Sequence, residues 1–186
     1  MAVLNPVTDS RLFLIVVLGT IAGCAAHGQA ADEYRVKAAY MYNFAKFVDW
    51  PAKTFDSPSQ PIVFCVLGQT PLRQALSDAL LGKVVDQRPL EFREIANAKQ
   101  AGACQVLLIS SPDKKRQRQI LDEIKTFKIL TVGEGESFTH EGGVVRFVLD
   151  GGRVRLEFNL EAANDATLRV SSKLLSLGTT IGKAAK

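Results

Sequence analysis

The chain has 186 residues, with 23 Lys and Arg against 19 Asp and Glu for a formal charge of +4. An excess this small favours an anionic neighbour without demanding nucleic acid. A zinc centre takes about four Cys, His or carboxylate ligands, and the chain has three cysteines and two histidines in all.

At the N-terminus, Met1–Arg11 is a polar lead with one basic residue, followed by the uncharged run LFLIVVLGTIAG over Leu12–Gly23. That run is too short for a membrane span of about 20 apolar residues as helix. It fits the apolar region of a secretory signal, and Gly28 and Ala30 occupy the small-residue positions of an A-x-A-like site. The expectation is a signal peptide over 1–30, cleaved after Ala30, and one domain over 31–186 outside the cytoplasm. Export removes nucleic acid as a partner. A competing reading takes Ile21-Ala22-Gly23-Cys24 as a lipobox, with Cys24 acylated and the product tethered to a membrane. Cleavage would also remove His27, leaving His140 as the one histidine.

The mature segment opens with a helix expected from Asp32 or Glu33 to about Val48. Val36, Ala39, Tyr40, Phe44 and Phe47 form an apolar stripe at three- and four-residue spacing, and Pro51 ends the element. Tyr40, Phe44, Phe47 and Trp50 are read either as the core face of this helix or as a partner or ligand surface, since aromatic side chains serve both.

An α/β alternation follows. Ile62–Leu67 is a continuous apolar run, as in a strand covered on both faces. Thr70 and Pro71 start a helix whose buried side carries Leu72, Leu76, Leu80 and Leu81. Strands are expected near Leu90–Ile95, Gln105–Ser110 and Ile129–Val132, with a helix opened by Ser111-Pro112-Asp113 before the last of them. Cys65 and Cys104 lie in two of the apolar runs. In an oxidising compartment they read first as one disulfide, with two buried thiols as the alternative.

The last third predicts a hairpin of Val144–Leu149 and Val154–Leu160 about the turn Asp150-Gly151-Gly152. Its second arm alternates Val154, Leu156, Phe158 and Leu160 with Arg155, Glu157 and Asn159. Short helices are expected at Asn159–Ala166 and Ser171–Leu177, and a loose tail from Gly178. The resulting fold class is α/β: a single three-layer domain with a mixed, mostly parallel sheet between helices and a C-terminal antiparallel hairpin.

Catalytic patterns are incomplete. There is no G-x-S-x-G elbow, and Gly133-Glu134-Gly135-Glu136 places two acids where a phosphate would sit. Gly178–Lys183 has the wrong spacing for a phosphate loop, and Ala184 replaces the magnesium-binding hydroxyl. Lys114-Lys115-Arg116-Gln117-Arg118 reads as a solvated helix face, with anionic lipid or an acidic protein patch as the functional alternative. Glu134, Glu136, His140 and Glu141 read as a surface loop. No catalytic residue, metal ligand or cofactor is assigned.

The segment Tyr34–Pro51, YRVKAAYMYNFAKFVDWP, resembles the opening of the YfiR/HmsC-like periplasmic proteins. So do Phe158–Ala163, FNLEAA, and Leu168–Leu175, LRVSSKLL, together with Gly142-Gly143 ahead of the hairpin. Cys65 and Cys104 match the family's common cysteine pair. A second pair found near the hairpin in some members is missing here, and Thr167 stands where glycine is frequent. The resemblance implies a non-enzymatic periplasmic repressor that binds the periplasmic sensor region of an inner-membrane diguanylate cyclase, so that cyclic di-GMP and biofilm formation are its outputs. It also implies an OmpA-like outer-membrane lipoprotein as a sequestering partner, and a second copy of the chain is a further candidate. The alternative function is a periplasmic small-ligand-binding or sensing domain, with the aromatic helix lining its pocket.

Overall fold

The computed structural model describes residues 22–182, with side chains from Ala30 onward. Residues 1–29 of the expected signal segment, the acylation candidate Cys24 among them, lie outside the described side chains. Tyr34–Lys186 forms a compact unit separate from Met1–Glu33, and the strands and both cores belong to that larger unit.

Helix α1 runs Ala22–Phe47, so it begins well before the expected Asp32. Its buried face also differs from the expected stripe. Val36 and Ala39 are exposed, while Lys37, Ala38, Met41, Phe44, Ala45 and the following Val48 are buried. The difference amounts to a small rotation of the helix about its axis, and Lys37 makes it tolerable. Its Nζ lies 2.9 Å from Glu134, 5.6 Å from the Tyr34 ring centroid and 5.9 Å from that of Phe147. The buried ammonium is therefore paired, and its aliphatic stem packs as an apolar one would.

Past Phe47 the chain forms β1 (Val48–Asp49), then β2 (Ile62–Leu67), α2 (Leu72–Leu80), β3 (Val84–Val85), β4 (Arg88–Ile95) and β5 (Val106–Ile109). Next come α3 (Lys114–Ile124), β6 (Leu130–Gly133), β7 (Val145–Asp150), β8 (Arg153–Asn159), α4 (Leu160–Asp165), β9 (Arg169–Val170), α5 (Ser172–Leu175) and β10 (Gly178–Ile181). The main sheet has eight strands in the order β10-β8-β7-β6-β5-β2-β4-β3. The neighbours β7, β6, β5, β2 and β4 run parallel, while the β7–β8 and β3–β4 pairs are antiparallel. β1 and β9 pair separately through Val48↔Val170 and Asp49↔Arg169.

Period-two alternation divides the sheet between two cores. Phe64, Val66, Val106, Leu108, Val132, Phe147, Leu156 and Phe158 pack toward α1 and α2. Val63, Cys65, Leu67, Leu107 and Ile109 face the other way, onto Ile120, Leu121 and Ile124 of α3 and onto Phe138. Burial on both faces is why β2 and β5 read as unbroken apolar runs rather than alternating ones. The Cys65–Cys104 disulfide lies on the α3 face, with Cα atoms 5.8 Å apart.

The short strands β1, β3, β9 and β10 escape the sequence reading. β3 and β4 are joined by Asp86 and Gln87, both at positive φ (47° and 68°), the geometry of a type I′ hairpin built without glycine. The expected loose tail is instead a strand: β10 pairs parallel with β8, Gly178↔Leu156 through Ile181↔Asn159. A Cβ at Gly178 would stand 2.2 Å from the Leu156 carbonyl oxygen, so only glycine allows the tail to enter the sheet there. The second hairpin arm stops at Asn159, whose side chain caps α4 by accepting from the Ala162 N–H at 2.9 Å. Thr167 adopts φ 58°, a left-handed conformation that a β-branched residue enters only under strain.

Candidate functional site

The four aromatic residues singled out on and after α1 do not share one surface. Phe44 has no exposed area and stacks on Phe147, ring centroids 6.4 Å apart and 21° between planes. Trp50 is half-buried, and its indole Nε1–H donates to the Gln105 carbonyl at 3.2 Å. Gln105 itself is buried between strands, its side-chain oxygen accepting from the Val63 N–H at 2.8 Å and its carbonyl from the Leu130 N–H at 2.9 Å. Trp50 is thereby tied to the start of the sheet. Phe47 is half-buried and packs against the same core. Phe44 is a core side chain, while Tyr40, Phe47 and Trp50 are half-buried, and of these Tyr40 borders a groove.

Tyr40 opens onto a groove of about 530 Å³ between α1, the β7–β8 hairpin and the start of β10. Its ring lies 6.4 Å from Phe147. Arg146 and Glu157, which face each other across β7 and β8, line the groove with Val148, Arg155 and Leu177. Arg146 grips Glu157 with two hydrogen bonds, Nε to Oε1 at 3.0 Å and Nη2 to Oε2 at 2.9 Å. The Thr139 hydroxyl donates to the same carboxylate, and Thr139's own carbonyl accepts from Asn159 Nδ2 at 2.7 Å. Arg155 reaches Asp150 at 3.6 Å across exposed surface, and Leu149 and Leu177 are exposed nearby. The arrangement offers apolar area rimmed by charges of both signs, with one rigid ion pair at its centre. Such a mixture suits protein recognition better than it suits proton transfer.

The Arg146 hydrogen bonds hold the Glu157 carboxyl below its ordinary value of 4.5, against the opposing effect of burial. A carboxyl whose pKa is depressed on folding stabilises the native state above that ordinary value, and its contribution disappears as pH falls through the folded pKa. The unfolding free energy of the wild type is therefore expected to fall from about pH 4.5 downward more steeply than that of Glu157→Gln. Urea titrations at stepped pH test this, and parallel acid limbs would contradict it.

The remaining candidates disperse. Lys114, Lys115, Arg116 and Arg118 are exposed on α3, with Arg116 4.0 Å from Glu123. Of the acidic loop, Glu134 is taken up by Lys37, Glu141 accepts from Ser137 Oγ at 2.9 Å, and Glu136 and His140 are exposed. Among the described residues no group of three or more His, Cys, Asp or Glu side chains is placed to hold a metal ion. Among them, too, no helix is long and apolar enough to cross a membrane. The Arg146–Glu157 pair went unnoticed in the sequence. Its signal was the two charges facing each other across an otherwise apolar hairpin.

A family model described as YfiR/HmsC-like matches residues 34–179. Among solved structures, a conserved domain protein from Vibrio cholerae O1 biovar El Tor strain N16961 resembles the chain at TM-score 0.47 and 13% identity. The match covers 64% of this chain and 54% of that one. An ABC domain from Streptococcus pneumonia, solved in complex with L-Trp, resembles it at TM-score 0.45 and 8% identity, over 64% and 55% of the two chains. The chain spans about half the length of these structures. Comparison with curated proteins finds no significant match.

Proposed function

The chain belongs to the YfiR/HmsC-like family, and from that premise we propose that it is a periplasmic negative regulator. Its target would be the periplasmic sensor region of a membrane diguanylate cyclase. The observation that carries this reading is the family match across residues 34–179, nearly the whole described domain. We assign the contact to the Tyr40 groove, where Val148 and Leu177 supply apolar area and Arg155 and Asp150 a charged rim. An OmpA-like outer-membrane lipoprotein would compete for the regulator and release the cyclase. The protein works as a binding partner, without turnover or cofactor. The pattern of residues 12–30 supports export with cleavage after Ala30. Mass spectrometry of the mature protein should find an N-terminus at Ala31, and an acylated Cys24 would instead establish a tethered form.

Deleting the gene should raise cellular cyclic di-GMP and surface attachment. Wild type should restore both, while Arg155→Glu, an exposed change that leaves the core intact, should restore them only weakly. Unchanged cyclic di-GMP in the deletion strain, with its cyclases present, would refute the regulatory role. Full complementation by both Arg155→Glu and Tyr40→Ala would refute the groove as the contact.

A further inference from the structure

The order of the parallel strands reverses beside β2. From β2 the chain passes through α2 to β4 on one side, then returns to lay β5 on the other side of β2. The helices that follow β2 and β5 cover opposite faces, α2 against α1 and α3 against Phe138. In open α/β sheets the loops diverging at such a point leave a crevice outside the carboxyl ends of the strands, the usual ligand position of this architecture. Here a crevice of about 480 Å³ occupies that place, with Leu108 and Ile109 at its base, within the size range of small-molecule sites.

One wall residue presents an amide to the crevice. Gln117 is 2% exposed, yet its side-chain amide makes no hydrogen bond to any described residue, and it lines the crevice. The buried side-chain atoms left without a partner among the described residues are Thr54 Oγ1 and Glu141 Oε2, so the Gln117 amide is not sealed off but reaches the crevice space, where it can donate and accept. The lack of a side chain at Gly135 leaves the amide its room, since a Cβ there would stand 2.7 Å from Gln117 Oε1. The remaining polar lining is hydroxyl and amide. Ser110 Oγ donates to the Gln69 carbonyl at 2.7 Å, and Thr70 Oγ1 accepts from the Leu72 N–H at 3.2 Å, so each keeps hydrogen-bonding capacity toward the cavity.

The charges around the crevice are mostly answered within the protein. Glu134 is neutralised by Lys37 at 2.9 Å. The positive end of α3 is occupied by Asp113, whose carboxylate accepts from the Lys115 N–H at 2.9 Å. Lys114 stands at the exposed rim. A lining of amides and hydroxyls, with its wall carboxylate and helix end already matched, suits a ligand whose groups both donate and accept.

We propose that this crevice binds a neutral, polyhydroxylated small molecule of monosaccharide or disaccharide size, hydrogen-bonded by Gln117. The inference is independent of the groove and of the regulatory reading.

The test uses the 15N-labelled full domain titrated with D-glucose, D-galactose, D-ribose, N-acetyl-D-glucosamine and maltose, with acetate and inorganic phosphate as anionic comparators. At least one sugar should saturate, shifting the amide signals of Ser110, Ser111, Gln117 and Gly135. Gln117→Leu should weaken its binding about tenfold, as expected for a lost hydrogen bond to the ligand. Gly135→Val, which displaces the amide, should weaken binding by a similar factor if folded by circular dichroism, and Ser111→Ala replaces it if not. Absence of any saturable sugar shift overturns the proposal. So do shifts confined to the Tyr40 groove, sugar binding unchanged in Gln117→Leu, or preferential saturation by acetate or phosphate.

Discussion

Cys65→Ala and Cys104→Ala are each expected to lower the unfolding free energy by about 3–4 kcal/mol, and the double variant by little more than either one. The bond joins residues 39 apart in sequence. On the chain-entropy account, closing a loop of that length restricts the unfolded chain by this amount. The native sheet already holds the two segments together through the β2–β5 ladder, so the gain arises chiefly in the denatured ensemble. Cys65 and Cys104 are 0% and 3% exposed, and alanine avoids the orphan hydroxyl that serine would bury there. For a domain of this size the loss corresponds to a fall in Tm on the order of 10 °C. Additive single-variant costs would contradict the pairing, as would thiol labelling of the oxidised native protein. Reduction of the wild type should reproduce the double variant's stability, which ties any redox sensitivity of the protein to this one bond.

The second large effect distinguishes core from surface on α1. Phe44→Ala is expected to cost about 3–5 kcal/mol, the range for emptying a filled aromatic site. Phe44 has no solvent exposure and shares the sheet face of Phe64, Phe147 and Phe158, so the cavity left behind has rigid walls. Phe44→Leu, which keeps most of the volume, should cost less than half as much. Tyr40→Ala, at a half-buried position beside the groove, should cost less than Phe44→Ala while carrying any effect on partner binding. The contrary result, a mild Phe44→Ala that folds well but fails to bind, would return Phe44 to the partner surface. Equilibrium denaturation paired with a binding readout on the same variants separates the two.

The same helix shows how far periodicity reaches. Apolar spacing located α1 and its approximate C-terminus but selected Val36 and Ala39, which are exposed, over Lys37 and Ala38, which are buried. Either stripe is apolar enough to face a core. The choice falls to Glu134, 97 residues away, which pairs with Lys37 and offsets the cost of burying it. Gln117 illustrates the same limit from the other side. Within Lys114–Arg118 it reads as one more polar residue on a solvated helix face. The loop after β6, which sets Gly135 against its amide, encloses it. β10 and the β3–β4 turn were illegible for related reasons. A four-residue strand draws its stability from a non-local partner, and an Asp-Gln type I′ turn carries no glycine to mark it.

By itself, the sequence determined the features that depend on near neighbours along the chain. Strands buried on both faces must be apolar throughout, a hairpin turn with two positive φ values favours Gly151-Gly152, and end motifs carry the family assignment. Tertiary structure alone decided what depends on distant segments meeting: which face of α1 is covered, whether the tail joins the sheet, the Arg146–Glu157 grip, and the crevice beside β2. Those outcomes are differences between burial, pairing and desolvation energies of residues tens of positions apart, and no local pattern records which of the competing partners arrives.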